Sequence, residues 1–265
     1  MTAPLRFAKP VRHIKARVLP LCGIASMVVI LAGCQQSTQA IRSDRLDAYV
    51  ARNAQSAEDN RDYAGALKHY ASLRESDPGN ALATAGMARN LRGLGRHEEA
   101  VKVVEETLGQ QKSPPATLLL EHGRSLLAAG QPEKALATLK KASEADGKDW
   151  RIPNVQGIAC DRLSLPEDAE VHYRRALTLS PDNPEILNNL GLSRALAGNL
   201  EEGLALVRQA SEHPAARTAT RDNARENIRL LESLRQSAKG SPKGDTAKAA
   251  TGGARPGGGS RTSQW

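Results

Sequence analysis

Aromatic residues make up only 3% of the 265-residue chain, with two Trp, four Tyr and one Phe. So few rings cannot build a stacking platform for single-stranded nucleic acid. Alternating runs of Val, Ile, Tyr and Thr are missing too, which excludes a β-sandwich or barrel. The longest apolar run, Val18–Ala32, covers 15 residues and falls short of the roughly 20 needed to span a bilayer as a helix. Cysteines number three, Cys22, Cys34 and Cys160, too few for a disulfide framework.

Catalytic constellations are equally scarce. There is no Gly-rich phosphate loop ending in Gly-Lys-Ser/Thr and no Gly-x-Ser-x-Gly. His97-Glu98-Glu99-Ala100-Val101 begins like a zinc-protease helix but lacks the second histidine. His13, His69, His97, His122, His172 and His213 are scattered, and none has ligand spacing to another or to Cys160. No metal, no cofactor, no small-molecule substrate and no enzymatic activity are expected. Cys160 falls at an apolar position, where a buried structural thiol is the simplest reading.

What the sequence has in quantity is Ala, Leu, Glu, Lys and Arg, a balance that favours helices with cores of small and straight-chain residues. The net charge of +8 would suggest a polyanion partner, but its location argues otherwise. Arg6, Lys9, Arg12, Lys15 and Arg17 give the first 33 residues +5, and residues 238–265 carry +4, leaving −1 for the middle. The body of the chain has no net field to attract nucleic acid.

The N-terminus reads as an export signal over residues 1–33: a basic stretch, a short apolar core and small residues before an abrupt polar turn at Gln35. Leu31-Ala32-Gly33-Cys34 resembles the bacterial lipobox. That resemblance implies cleavage before Cys34, with a covalent lipid on its sulfur and membrane attachment through the acyl chains. Gln35 stands where an Asp would resemble the inner-membrane retention signal, so the expected location is the periplasmic face of the outer membrane. A tether over 34–46 follows.

Self-similarity organises the middle. The small residues Ala54, Ala88, Gly123, Gly157 and Gly191 are spaced by 34, 35, 34 and 34. Ala66, Ala100, Ala135, Ala169 and Gly203 repeat those spacings 12 residues later, and Tyr70, Val104, Leu139, Tyr173 and Val207 follow four residues after that. Two helices approach closely only where side chains are small, so the first two sets mark contacts within a hairpin. The bulky third set is expected to fill space against the next hairpin. Gly95, Gly130 and Gly198 are placed to end first helices with positive φ. Asp77-Pro78-Gly79-Asn80 and Ser180-Pro181-Asp182-Asn183-Pro184 separate repeats.

This pattern resembles the tetratricopeptide (TPR) repeat, best in 150–183, where Gly157, Ala169, Tyr173, Ala176 and Pro181 match. The expectation is an all-α solenoid over 47–236 of about five hairpins with disordered ends. The repeats lie near 47–80, 81–114, 116–149, 150–183 and 184–217, the first degenerate. A capping helix is expected over 218–235, with Ala224, Ile228, Leu231 and Leu234 on its buried stripe. A basic Gly/Ser/Pro-rich tail over 237–265 completes the chain. At the twentieth repeat position, Gly203 in place of Ala suggests a small loss of helix propensity.

TPR arrays bind through a concave surface lined by first helices. By register its candidates are Arg89, Arg92, Leu120, Arg124, Leu127, Arg151, Asn154, Ile158, Asp161, Asn188 and Leu192. The four arginines would form a basic lane beside Leu120, Ile158 and Leu192, suited to a peptide with acidic and apolar residues. The stretch 181–211, with Asn188-Asn189-Leu190-Gly191-Leu192-Ser193 and Ala195-Leu196-Ala197-Gly198-Asn199-Leu200, is similar to the TadD family. That family comprises TPR lipoproteins of the tight-adherence (Flp) pilus system. The resemblance implies a protein-binding factor for the pilus or secretion apparatus, with the secretin as partner. A general envelope scaffold or adaptor, for outer-membrane protein insertion or peptidoglycan remodelling, is the alternative.

Overall fold

The computed structural model describes residues 46–240, with side chains to Ser237. Leu31, Ala32, Gly33 and Cys34, the tether to residue 45, and residues 241–265 lie outside it. The regular elements among the described residues are all helices, without strands. The first helix, α1, runs over 46–59. It is followed by α2 (Tyr63–Ser76), α3 (Ala81–Gly93), α4 (His97–Leu108), α5 (Ala116–Ala128), α6 (Pro132–Ala145) and α7 (Arg151–Arg162). The remainder are α8 (Pro166–Leu179), α9 (Pro184–Leu196), α10 (Leu200–Glu212) and α11 (Thr218–Gly240).

The helix starts follow from local chemistry. Asp62 and Asn80 cap α2 and α3 by accepting from the backbone N–H groups of Gly65 and Ala83, each at 2.9 Å. Asn183 does the same for α9 through Glu185 N–H at 3.0 Å. Pro132, Pro166 and Pro184 occupy first-turn positions, where a missing N–H costs nothing.

The first-helix ends are set by a left-handed residue. Gly95, Gly130 and Gly198 have φ of +73°, +73° and +92° as the sequence suggested, and Arg61 and Ser164 take φ of +60° at the equivalent turns.

Two compact units divide the chain at Ser113 and Pro114. In the first, Ala54 of α1, Tyr70 and Leu73 of α2 and Ala83 of α3 share one core cluster. In the second, each helix packs against its successor from α5 to α11. The first helices of that unit also touch in series, α5 to α7, α7 to α9 and α9 to α11, so they share one face.

All three repeat registers are buried. Ala54, Ala66, Ala88, Ala100, Ala135 and Ala169 are fully inaccessible, and the bulky set from Tyr70 to Val207 is at most 4% exposed. The bulky residues do more than the expected packing against the next hairpin. A Cβ added at Gly123 would come within 2.6 Å of Leu139, at Gly157 within 2.6 Å of Tyr173, and at Gly191 within 2.7 Å of Val207. Each bulky side chain therefore lies over the small residue of its own hairpin, while Tyr173 also shares a cluster with Ile186 and Leu190 of the next.

Two details correct the sequence reading. Gly203 is not a mere loss of propensity, because a Cβ there would meet the Gly191 carbonyl oxygen at 2.5 Å. The missing methyl lets two backbones touch. The capping helix also reaches Gly240, five residues past the expected end at 235 and into the expected tail. Its inner stripe holds buried Ala224 and Leu231 and partly buried Ile228, whereas Leu234 is 47% exposed.

Candidate peptide-binding face

The first-helix face of the second unit carries a buried ladder of asparagine amides. Asn227 of α11 donates through Nδ2 to Oδ1 of Asn188 on α9 at 3.0 Å, and Asn188 donates to Asn189 at 3.3 Å. Asn189 then donates to Oδ1 of Asn154 on α7 at 3.1 Å, and Asn154 donates to Oε1 of Glu185 at 3.3 Å. Asn154, Asn188 and Asn189 are all buried. Burying an amide without a partner costs roughly 1–3 kcal/mol, which this chain of bonds avoids. All four donors point the same way toward the Glu185 carboxylate, an arrangement in which successive bonds polarise one another.

A second rung joins α7 to α9 further along. Ser193 Oγ donates to Asp161 Oδ1 at 2.6 Å, and the Tyr173 hydroxyl of α8 donates to Asp161 Oδ2 at 2.8 Å. Burial raises the Asp161 carboxyl above the usual carboxylate range, and these two donors only partly offset it. Burial also drives the Tyr173 phenol well above its ordinary value, with the Asp161 charge adding to it. Neighbouring Cys160 is buried, its thiol pushed up to about 11 by desolvation. A thiol so hard to ionise is a packing group, not a nucleophile.

The arginines do not form an open basic lane. Arg124 donates to Glu121 Oε1 at 2.9 Å. Arg151 clasps Asp149 through Nε at 2.8 Å and Nη2 at 2.6 Å. Burial alone would raise the Asp149 carboxyl. The Arg151 hydrogen bonds, with the charges of Arg151 and Arg124, outweigh it and hold the group below its usual range. In the first unit, Arg89 donates to Glu58 Oε2 at 3.1 Å, and Asn90 donates to Oε1 of the same carboxylate at 2.6 Å. Arg92, also in the first unit, is half-buried.

The apolar candidates are placed differently from the expectation. Leu120, Leu127 and Leu192 are 1%, 8% and 6% exposed, so they are core. Ile158 is half-buried and packs against the cluster around Tyr173. α7 and α9 each have another first helix on both sides, which widens their buried arc beyond a single stripe. Asn154 and Asn188 are covered in the same way, at 0% and 7% exposed, so of the expected set on α7 and α9 the face presents half-buried Asp161 and exposed Arg151.

Residues that the register alone did not supply are Glu58, Glu121, Asp149, Glu185, Asn189, Ser193 and Asn227. A signal for several of them lies in the period. Glu58–Arg89, Glu58–Asn90, Asn154–Glu185 and Asp161–Ser193 are polar pairs 31 or 32 residues apart. One repeat carries a side chain to its neighbour on the adjoining first helix.

Stacked helical hairpins with a polar first-helix face define a repeat scaffold of the kind that serves protein–protein interaction. Tetratricopeptide repeat models match residues 57–120, 120–184 and 161–217, and the chain is a tetratricopeptide repeat protein. No curated protein matches its sequence. Among solved structures it is similar to TTC0263, a thermophilic TPR protein of Thermus thermophilus. The TM-score is 0.62 at 20% identity, covering 69% of this chain and 100% of that one. PilW, a widely conserved type IV pilus biogenesis factor, has a TM-score of 0.58 at 19% identity, covering 74% of this chain and 96% of its own. At these identities the likeness is one of fold. No helix among the described residues is long and apolar enough to cross a membrane.

Proposed function

We propose that this chain is a lipoprotein anchored by Cys34 at the periplasmic face of the outer membrane. It holds protein segments on its TPR array as an assembly factor for a Tad/Flp-type pilus, and its partner there is the secretin. The observation that carries the binding role is the asparagine ladder across α7, α9 and α11. Asn227 is half-buried and Asn188 and Asn189 keep a narrow accessible edge, so amide bonds remain there for the main chain of an extended segment. Main-chain bonding gives affinity with little demand on sequence, which suits a factor that handles assembly intermediates.

The pilus assignment draws on the similarity of 181–211 to TadD. The solved structure of PilW adds that this fold is used in a related class of machine. The lipid would confine the array to the inner leaflet of the outer membrane, where secretin subunits assemble. Candidate contacts on the second unit are Asp161 and the accessible edge of Asn188 and Asn227, with Arg124 and Arg151 at their carboxylates, while Asn154 is fully covered. Arg89 and Arg92 are the candidates on the first unit.

The test is an unheated gel of membranes from wild-type and deletion strains, probed for the secretin multimer. Loss of the multimer, restored by the wild-type gene but not by Cys34→Ser, is the expected result. Intact pili in the deletion strain would contradict the assignment and favour the general envelope scaffold.

A further inference from the structure

The two arginines on the first-helix face of the second unit are already matched. Arg124 is held by Glu121 and Arg151 by Asp149. Glu185 accepts from a neutral amide, Asn154 Nδ2. Asp161 accepts only from the hydroxyls of Ser193 and Tyr173, and among the described residues no ion pair reaches it. Asp161 is thus a carboxylate that no ion pair among the described residues reaches, fixed in place by donors from two other helices. A carboxylate oxygen accepts more than one hydrogen bond, so each Asp161 oxygen keeps capacity for a further donor.

Asp161 also stands in register with the amide ladder. It is seven residues from Asn154 on α7, two turns along the same stripe. Ser193, its partner on α9, is four residues from Asn189. The rise between the two rungs is therefore roughly 6–10 Å, or about two to three residues of an extended chain.

From this geometry we infer that the face takes a partner segment bearing a lysine or arginine, whose cation docks on the Asp161 carboxylate. The segment's main chain passes the accessible edge of the ladder at Asn189, and the basic residue follows two or three positions from that contact. The inference rests on the reading of this face as a peptide-binding surface and reverses the expectation of an acidic ligand. A cation would supply the charge partner that the fold withholds from Asp161. An acidic side chain would meet a fixed negative charge, with both neighbouring guanidinium groups already engaged.

The test exposes the immobilised full chain, in mild detergent, to a random decapeptide library and sequences what is retained. Retained peptides should be enriched in Lys and Arg at one position by about tenfold over Gln, as expected for one charge-assisted contact. Asp161→Asn, which keeps an acceptor for Ser193 or Tyr173, should still retain peptides but without that enrichment. For one selected peptide, Lys→Gln in the peptide should weaken binding to the wild-type chain, and added salt should weaken the Lys form more than the Gln form. Enrichment of Asp and Glu, or the same Lys enrichment on Asp161→Asn, would overturn the inference while leaving peptide binding intact. Retention of no peptides at all would overturn the peptide-binding reading and this inference with it.

Discussion

The Tyr173 hydroxyl donates to Asp161 at 2.8 Å while the Tyr173 ring lies over Gly157, leaving no room there for a Cβ. One side chain thus packs its own hairpin and orients a carboxylate on the first-helix face. Because the hydroxyl is tethered, the ring cannot swing aside to admit a methyl group. Gly157→Ala is expected to destabilise the chain by about 1–3 kcal/mol through overpacking. Urea denaturation read by circular dichroism checks this. Tyr173→Phe, which keeps the ring, should cost about 1–2 kcal/mol through the lost charge-assisted bond.

Gly203 separates propensity from packing. On propensity alone, Gly203→Ala in the first turn of α10 would gain up to about 1 kcal/mol. With the Gly191 carbonyl oxygen 2.5 Å from the position of the new methyl, the expected outcome is a lower urea midpoint. A higher midpoint would show that α9 and α10 can separate without penalty.

The turn at Ser164 gives the opposite sign. This residue holds φ at +60°, a region that costs L-residues about 1–2 kcal/mol and glycine almost nothing. Ser164→Gly should raise the thermal midpoint, as should Arg61→Gly at the equivalent turn of the first hairpin.

Two carboxylates give opposing pH dependence. Asp161 has its carboxyl raised, chiefly by burial, so the folded chain holds that proton more tightly than the unfolded chain. Its contribution to stability is greatest in acid and declines as pH rises between the ordinary Asp value and the raised folded value. Asp149 is held low by Arg151, so its contribution is present above the ordinary value and is lost as pH falls through the folded one. Asp161→Asn should flatten the first slope and Asp149→Asn the second, read as urea midpoints across an acid pH series.

The architecture was legible because a period of 34 or 35 forces small residues into the same contact in every hairpin, as Gly157 and Ala169 do. The glycine turns were legible because Gly95, Gly130 and Gly198 are needed for their backbone angle. Arg61 and Ser164 were hidden, since neither residue type signals positive φ and only position relative to the other turns reveals them. The binding face was legible by register but not by character. Leu120 and Leu192 occupy lane positions yet are covered by neighbouring helices, and Arg124 and Arg151 are matched by Glu121 and Asp149. A helical register says which way a side chain sets out from its own helix. It does not say what the next repeat brings to meet it, and that decides whether a charge is open or spent.

Photo-crosslinking in living cells tests the central claim most directly. A photoreactive residue is placed at Arg151, on the first-helix face, and in a second strain at Val171, on α8 and 66% exposed. An adduct with the secretin is expected from position 151 and none from 171. Secretin adducts from 171 alone would contradict the claim by moving the partner off the first-helix face.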